Sequence, residues 1–398
     1  MTGVQTCALP IWNVSDFGAI ADGKTDSTAA IQAALDACAA AGGGKVVLPA
    51  GSYFTSGTLK VAPHVQFSGA ARILDGAGES SVLLVTNKAE PFLTLNSRCS
   101  VEYMEFRYPE QSDKPPFTEY PWAIDCKGDN CQIIGVSLFN PYDAIRLVGA
   151  GRHLVRDVHG SPHHIGIYVD QIYDVGRIEN VHFWPFSPGP YGQDSYSAAF
   201  VFGRTDWQYV ADCFSWGYNI GYHFIRTESG GCNGNFVGLG ADWCRTAVQI
   251  DDCAPYGLLF LNGQFVAVPG DNPTAIKVSA ANTGTVSFVN CSAWGAFNYL
   301  ADIEGTGFVS FNNFNFSCWD RETKGLAAVR AAGGNVQVTG CQFRSPNPTA
   351  PQVSIEPGAQ AVTVGLNTSD TPWNIQNTSV IVPEIGLNSA RIPAPQPD

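Results

Sequence analysis

The chain has 398 residues, 35 Asp+Glu against 22 Lys+Arg, a net charge of −13, and only 14% charged residues. That balance, with no Lys/Arg cluster, excludes an electrostatic nucleic-acid footprint and disfavours anionic membrane surfaces, and no apolar run reaches the ~18 residues a membrane span needs. An apolar content of 45% with 42 Gly and 23 Phe fits an ordered, repetitive body better than disorder.

Met1 to Ile11 lacks a basic n-region, and Pro10 breaks its apolar stretch, so it does not read as a signal peptide. Residues 1–12 read as a non-native leader in place of a lost natural start. The protein is expected to be secreted or periplasmic, with its export signal missing from this sequence. Cys126 and Cys131 flank a short turn and suit a small disulfide loop. Cys213, Cys291 and Cys341 sit inside apolar runs as small core residues. No CxxC pair is present, so no structural zinc site is expected.

Residues 26–41 predict one helix: Asp26, Ser27 and Thr28 offer capping oxygens, and Ile31, Ala34, Leu35 and Cys38 fall at helical spacing before Gly42–Gly44. A strand from Lys45 and a turn at Gly51 follow. Gly18-Ala-Ile-Ala-Asp-Gly-Lys24-Thr25 matches the phosphate-loop pattern, but three features oppose nucleotide binding. Asp22 puts a carboxylate in the anion cradle, no strand–helix alternation follows, and no apolar strand ends in a magnesium-binding Asp.

Downstream, short strands recur: Ala144-Ile-Arg-Leu, Gly166-Ile-Tyr-Val, Ala199-Phe-Val-Phe, Gly221-Tyr-His-Phe, Ala247-Val-Gln-Ile, Ala275-Ile-Lys-Val, Leu300-Ala-Asp-Ile and Ala327-Ala-Val-Arg. Their second residues are 22, 33, 22, 26, 28, 25 and 27 apart. Between them Asn180, Asp212, Asn290 and Gly340 occupy one repeated position that suits a tight turn with stacked amides. A 20–30-residue period of short strands means a solenoid with a continuous core. The expected fold is all-β, a right-handed parallel β-helix over residues 61–365. The helix caps its amino-terminal end within a 13–60 segment, shielding the sheet edge, and a tail spans 366–398.

The stretch Asp16-Phe-Gly-Ala-Ile-Ala-Asp-Gly-Lys-Thr-Asp, then Ala30-Ile-Gln-Ala-Ala-Leu, then Gly42-Gly-Gly-Lys-Val-Val-Leu-Pro-Ala-Gly-Ser-Tyr resembles the amino-terminal block of the pectate-lyase superfamily. Rhamnogalacturonase-like proteins, family 28-related glycoside hydrolases and phage tailspikes share that block. The resemblance, over residues 13–60, implies a β-helix that acts on or binds polysaccharide. The Asn-Thr-Asp, Asp-Asp-Cys, Gly-His-Gly and Arg-Ile-Lys motifs of family 28 hydrolases are not reproduced at matching positions. Asp251-Asp252-Cys253 follows its strand instead of preceding it and reads as a turn.

The residues just before the recurring strand define a candidate cleft: Asp143, His163 and His164, Asp194 with Tyr196, Tyr218 and Asn219, Asp242 with Trp243 and Arg245, then Asp271. Asp194 and Asp242, two coils apart, predict a separation of about 9–10 Å from the strand spacing. That suits an acid and a base around a water in an inverting glycosidase. Asp143 and His164 are further catalytic candidates. Trp184, Phe186, Tyr191 and Tyr196 form an aromatic loop, and Trp184, Tyr196, Tyr218, Trp243, Arg245 and His163 are candidate substrate contacts. The His159-x-x-x-His163 spacing falls on irregular loops and does not read as a metal site.

The leading expectation is a glycoside hydrolase with two carboxylates acting on a neutral or weakly charged poly- or oligosaccharide, with no cofactor, no nucleic acid and no membrane. The alternative is a polysaccharide lyase on a uronate polymer, assisted by Arg245, Arg177 or Lys277 and often by calcium. A third is a non-catalytic, tailspike-like glycan-binding homotrimer.

Overall fold

The computed structural model describes residues 10–70, 80–184, 196–267, 273–295 and 298–390. Asp194, Asp271, Phe186 and Tyr191 lie outside them. The chain forms two compact units, residues 1–167 and 168–398, and both are built from parallel β-coils with three faces per turn.

In the first unit, the first face carries Leu59–Val61, Leu93–Leu95, Ile124–Cys126 and Asp143–Val148, paired in parallel. The second face stacks Gly44–Val47, Val65–Ser68, Ser100–Glu102 and Gln132–Ile134. The third stacks Gly51–Thr55, Ser81–Val85, Glu105–Arg107 and Ser137–Phe139. Coils therefore begin inside the segment expected as a cap. Ile11 and Trp12, at the expected end of the leader, pair with Lys45 and Val46.

The one α-helix among the described residues runs Thr28–Ala40, slightly shorter than 26–41. Asp26 Oδ1 accepts from the Thr28 N–H at 2.9 Å, whereas Ser27 makes no side-chain cap. Ile31, Ala34, Leu35 and Cys38 are its buried face. Gly43, at φ 109°, donates to Cys38 O, and a side chain there would meet His64 O at 2.5 Å. The phosphate-loop look-alike is closed: Asp22 Oδ1 accepts from the Lys24 and Thr25 N–H groups at 2.8 Å each. These bonds hold the Asp22 carboxyl below its ordinary pKa.

In the second unit the first face aligns Ala198–Phe202, Ile220–Phe224, Thr246–Ile250, Thr274–Val278, Ala301–Ile303, Val329–Ala331, Val353–Ile355 and Ile375–Asn377. Phe200, Tyr222, Val248, Ile276 and Ala301 stand in one register column, as the repeat predicts. The next member is Val329, one residue beyond the expected Ala328. Residues 366–390, expected as tail, contribute strands that pair with earlier coils.

Parallel stacking puts equivalent residues of successive coils about 4.8 Å apart, which explains the Phe content. Phe236, Phe260, Phe288 and Phe311 form a buried column with successive ring centroids at 5.1, 4.6 and 5.3 Å. The turn between second and third faces holds Asn180, Asp212, Gly238, Asn262, Asn290, Asn313 and Gly340, all at positive φ. Asn290 Nδ2 donates to Asn262 Oδ1 at 2.6 Å, and Asn313 Nδ2 to Asn290 Oδ1 at 3.1 Å. The expected amide stack is present.

The expected disulfide is not: Cys126 and Cys131 are both free and buried. Cys131 Sγ donates to Gly128 O at 3.2 Å, and burial raises the Cys126 thiol pKa. Cys213, Cys291 and Cys341 are core thiols, raised by burial to about 12, 11 and 11.

Candidate functional site

On the first face of the second unit, the penultimate residue of each strand lies on the side opposite the inward column of Phe200, Tyr222, Val248 and Ile276. In register these are Val201, His223, Gln249, Lys277, Asp302 and Arg330. His223 Nε2 lies 2.7 Å from Asp251 Oδ2, and Tyr196 OH lies 3.0 Å from His223 Nδ1. Asp251 is the first residue after Thr246–Ile250, and its other oxygen accepts from Gln249 Nε2 at 3.0 Å and Ser279 Oγ at 2.8 Å. Burial works against its charge, but the bonds from His223, Gln249 and Ser279 prevail and hold Asp251 at about 2. An ionised Asp251 requires a proton on Nε2, so the neutral ring presents Nδ1 as acceptor to the Tyr196 hydroxyl. Tyr196 is 44% exposed and His223 is 7% exposed. A solvent-facing phenol thus sits at the end of a buried relay.

Two strands from His223 in the same column, Lys277 is half-buried, with no ion pair within 4 Å among the described residues. Arg330 is committed elsewhere, to Glu356 at 2.7 and 2.8 Å, Asp302 at 2.8 Å and Glu304 at 3.2 Å. Arg177 lies on the second face, 5.7 Å from the Tyr209 ring centre. Arg245 sits between the third-face strand Gly240–Cys244 and the first-face strand Thr246–Ile250. Of the three cations expected to assist a lyase, only Lys277 shares the relay's outward column.

The other expected residues scatter. Asp143 and His164 do meet, in the first unit: His164 Nδ1 is 2.8 Å from Asp143 Oδ1, and the imidazole stacks on Tyr142 at 4.7 Å. The adjacent Asp125 is gripped by Arg146 at 2.9 and 2.7 Å and by Lys127 at 3.3 Å. His163 is corrected from a substrate contact to a core residue. It is 6% exposed, stacked on Phe117 at 4.0 Å, and pushed down to about 4 by burial. Tyr218 is fully buried, so no sugar can stack on it.

Asp242 does not immediately precede the first-face strand, because a third-face strand intervenes. It lies within Gly240–Cys244, opposite Trp216. There it lines a groove of about 440 Å³ with Asp212, Phe214, Gln264 and Trp294. Trp243 is 43% exposed and stacks on Trp216 at 6.1 Å. Trp184 lies against His182 at 4.0 Å, and His182 meets Phe214 edge-on at 4.8 Å. Among the described residues no group of three or more His, Cys, Asp or Glu is placed to hold a metal ion.

His223 and Asp251 were missed by sequence reasoning. Their signal was the outward column of strands already aligned, where His223 is followed by Gln249, Lys277 and Asp302. Asp251 was read as a turn former because it follows its strand, yet that position is what sets its carboxylate beside the imidazole.

Coils of this form define a parallel β-helix protein. Its residues 11–88 match the family model described as rhamnogalacturonase A/epimerase, pectate lyase-like, so the chain carries a pectate-lyase-like domain there. Over 81 residues the chain is 49% identical to mannuronan C5-epimerase AlgE2 of Azotobacter vinelandii, covering 19% of this chain and 8% of that protein. Over the same length it is 48% identical to alginate lyase 7 of the same organism, covering 19% and 9%. The matches thus span less than a tenth of these relatives' length. Among solved structures, the fold is similar to the A-module of Azotobacter vinelandii mannuronan C-5 epimerase AlgE6, with a TM-score of 0.62 and 17% identity over 96% of this chain and 100% of that one. It is also similar to the pre-mature gene product 12 of bacteriophage phi29, with a TM-score of 0.70 and 13% identity over 96% and 56%.

Proposed function

We propose that the protein is a polysaccharide-modifying enzyme that abstracts the proton at C5 of a uronate polymer, with lyase chemistry as its outcome. The observation that carries this is the Tyr196–His223–Asp251 relay with Lys277 in its outward column. His223 takes the Tyr196 proton, and the imidazolium is stabilised by ionised Asp251. The phenolate removes the C5 proton, whose bonding electrons form the C4–C5 double bond as the C4–O4 bond breaks. Tyr196 then delivers the proton to the departing O4, and His223 returns to neutrality. Lys277 stabilises the charge developing on the uronate carboxylate.

The local identity to proteins named as mannuronan C5-epimerases and an alginate lyase supports uronate chemistry. The runner-up of the sequence reading thereby takes precedence over the hydrolase. An extracellular polymer as substrate goes with an exported protein, and the helix Thr28–Ala40 is proposed as the cap of the first coil.

The test is incubation with alginate and polygalacturonate in D2O. Absorbance of unsaturated uronates, new reducing ends and deuterium at C5 are followed together. Both of the first two signals support the lyase, and deuterium alone supports epimerisation at the same site. Reducing ends alone point to the second reading, a hydrolase. Its support is the single groove shared by Asp212 and Asp242 beside Trp294.

A further inference from the structure

Where first-face strands turn into second-face strands, the second unit carries a cleft of about 600 Å³ lined by Tyr173, Asp174, Asp206, Trp207, Asn233 and Tyr256. Three of these are aromatic and turned to solvent: Tyr173 and Trp207 are each 65% exposed and Tyr256 is 83% exposed. Large aromatics at a monomer's surface ordinarily keep one side packed.

The backbone is shaped to hold them out. The strand Thr205–Ala211 breaks register with its neighbour between Thr205 and Gln208, and Trp207 within that bulge has φ 53°. A bulky residue in the left-handed region is strained, and a bulge is a device for re-aiming a side chain. The strain is braced. Asn233 Oδ1 accepts from the Trp207 N–H at 3.0 Å while Asn233 Nδ2 donates to Asp206 Oδ1 at 2.9 Å. Asp206 Oδ2 in turn accepts from Arg204 Nη2 at 2.8 Å, and the Arg204 guanidinium lies 5.8 Å from the Tyr173 ring centre. One continuous chain thus fixes both the indole and a tyrosine at the cleft.

We infer that this cleft is a non-catalytic binding site for a neutral glycan chain, separate from the relay. Flat exposed rings present faces to the apolar C–H faces of pyranose rings, and the bordering carboxylates accept hydroxyl hydrogen bonds. The described lining holds no Lys, Arg or His, and Arg204 beside it is paired with Asp206, so the cleft offers no cation for a uronate carboxylate and selects an uncharged partner. The site would hold the protein on neutral polymer while the first face works on uronate.

The test is affinity electrophoresis in gels containing galactomannan, xylan, hydroxyethylcellulose or β-1,3-glucan, with alginate and polygalacturonate in parallel. At least one neutral polymer should retard the wild type. Trp207→Ala and Tyr256→Ala should each weaken that retardation about tenfold, the scale of losing one anchoring aromatic. Trp207→Tyr should restore part of it, and the rate on short soluble uronate oligomers should not change. The inference is overturned if no neutral polymer retards the wild type, if both alanine variants bind as tightly, or if only the polyuronates are bound. Loss of activity in Tyr196→Phe with unchanged gel retardation separates this site from the relay.

Discussion

His223, within one first-face strand, and Asp251, just past the end of the next, are 28 positions apart and meet with Nε2 2.7 Å from Oδ2. Parallel stacking makes such pairs rigid, since both backbones are fixed by the same ladder. Asp251→Asn keeps the shape but leaves the imidazole free to take the other tautomer, with Nδ1 protonated towards Tyr196. Turnover should fall by roughly 10³-fold or more, as when a triad loses its orienting carboxylate. KM and the melting temperature should move little. A rate within twofold of wild type would remove Asp251 from the mechanism.

Tyr196→Phe deletes the hydroxyl that meets His223. Proton transfer by a positioned side chain is worth about 10²–10⁴-fold, so kcat should fall by at least that lower figure. Lys277→Met should instead act more on polymers with free carboxylates than on their methyl esters. Initial rates on polygalacturonate and its methyl-esterified form make the comparison.

His163 predicts an acid-sensitive fold. Burial lowers its folded-state pKa to about 4 from the ordinary 6.5. Between those values the unfolded chain binds the extra proton, so stability is full above pH 6.5 and declines as the pH falls towards 4. The whole shift corresponds to about 3 kcal/mol. His182, also lowered to about 4 by burial, adds a change of the same sign. Urea unfolding at pH 7 and pH 4.5 measures the difference, and His163→Phe, which keeps a ring against Phe117, should reduce it.

The coil was legible because its constraints are local. Small-apolar steps mark inward strands, and Asn180, Asp212, Asn290 and Gly340 mark a turn that needs positive φ. The site was less legible because it is assembled across coils. Counting back from one recurring strand placed Asp242 on the first face, but each coil has three faces, and Asp242 belongs to the third. Asp143 and His164 meet because Asp143 opens one first-face strand and His164 directly precedes the next. His223 was hidden inside its strand, where an apolar-looking run drew attention to Tyr222 and Phe224, the buried neighbours on either side.

The free thiols of Cys126 and Cys131 make a separate prediction. Native protein should react slowly with a thiol reagent, because both sulfurs are buried, and denatured protein without reductant should release both. Migration on a non-reducing gel should match that on a reducing one. A shift on reduction that disappears in Cys131→Ser would restore the disulfide expected from the spacing.

The turn column offers the last test. Asn290 combines φ 54° with amide bonds to Asn262 and Asn313, so its two contributions can be separated. Asn290→Gly keeps the backbone conformation and loses the amides, which should cost about 1 kcal/mol for the net hydrogen bonding. Asn290→Val loses the amides and also forces a β-branched residue into the left-handed region, adding about 1–2 kcal/mol. Urea midpoints should fall in the order wild type, Gly, Val. Equal midpoints for Gly and Val would show that the coil relaxes at this turn, and the amide ladder alone would then account for the asparagine.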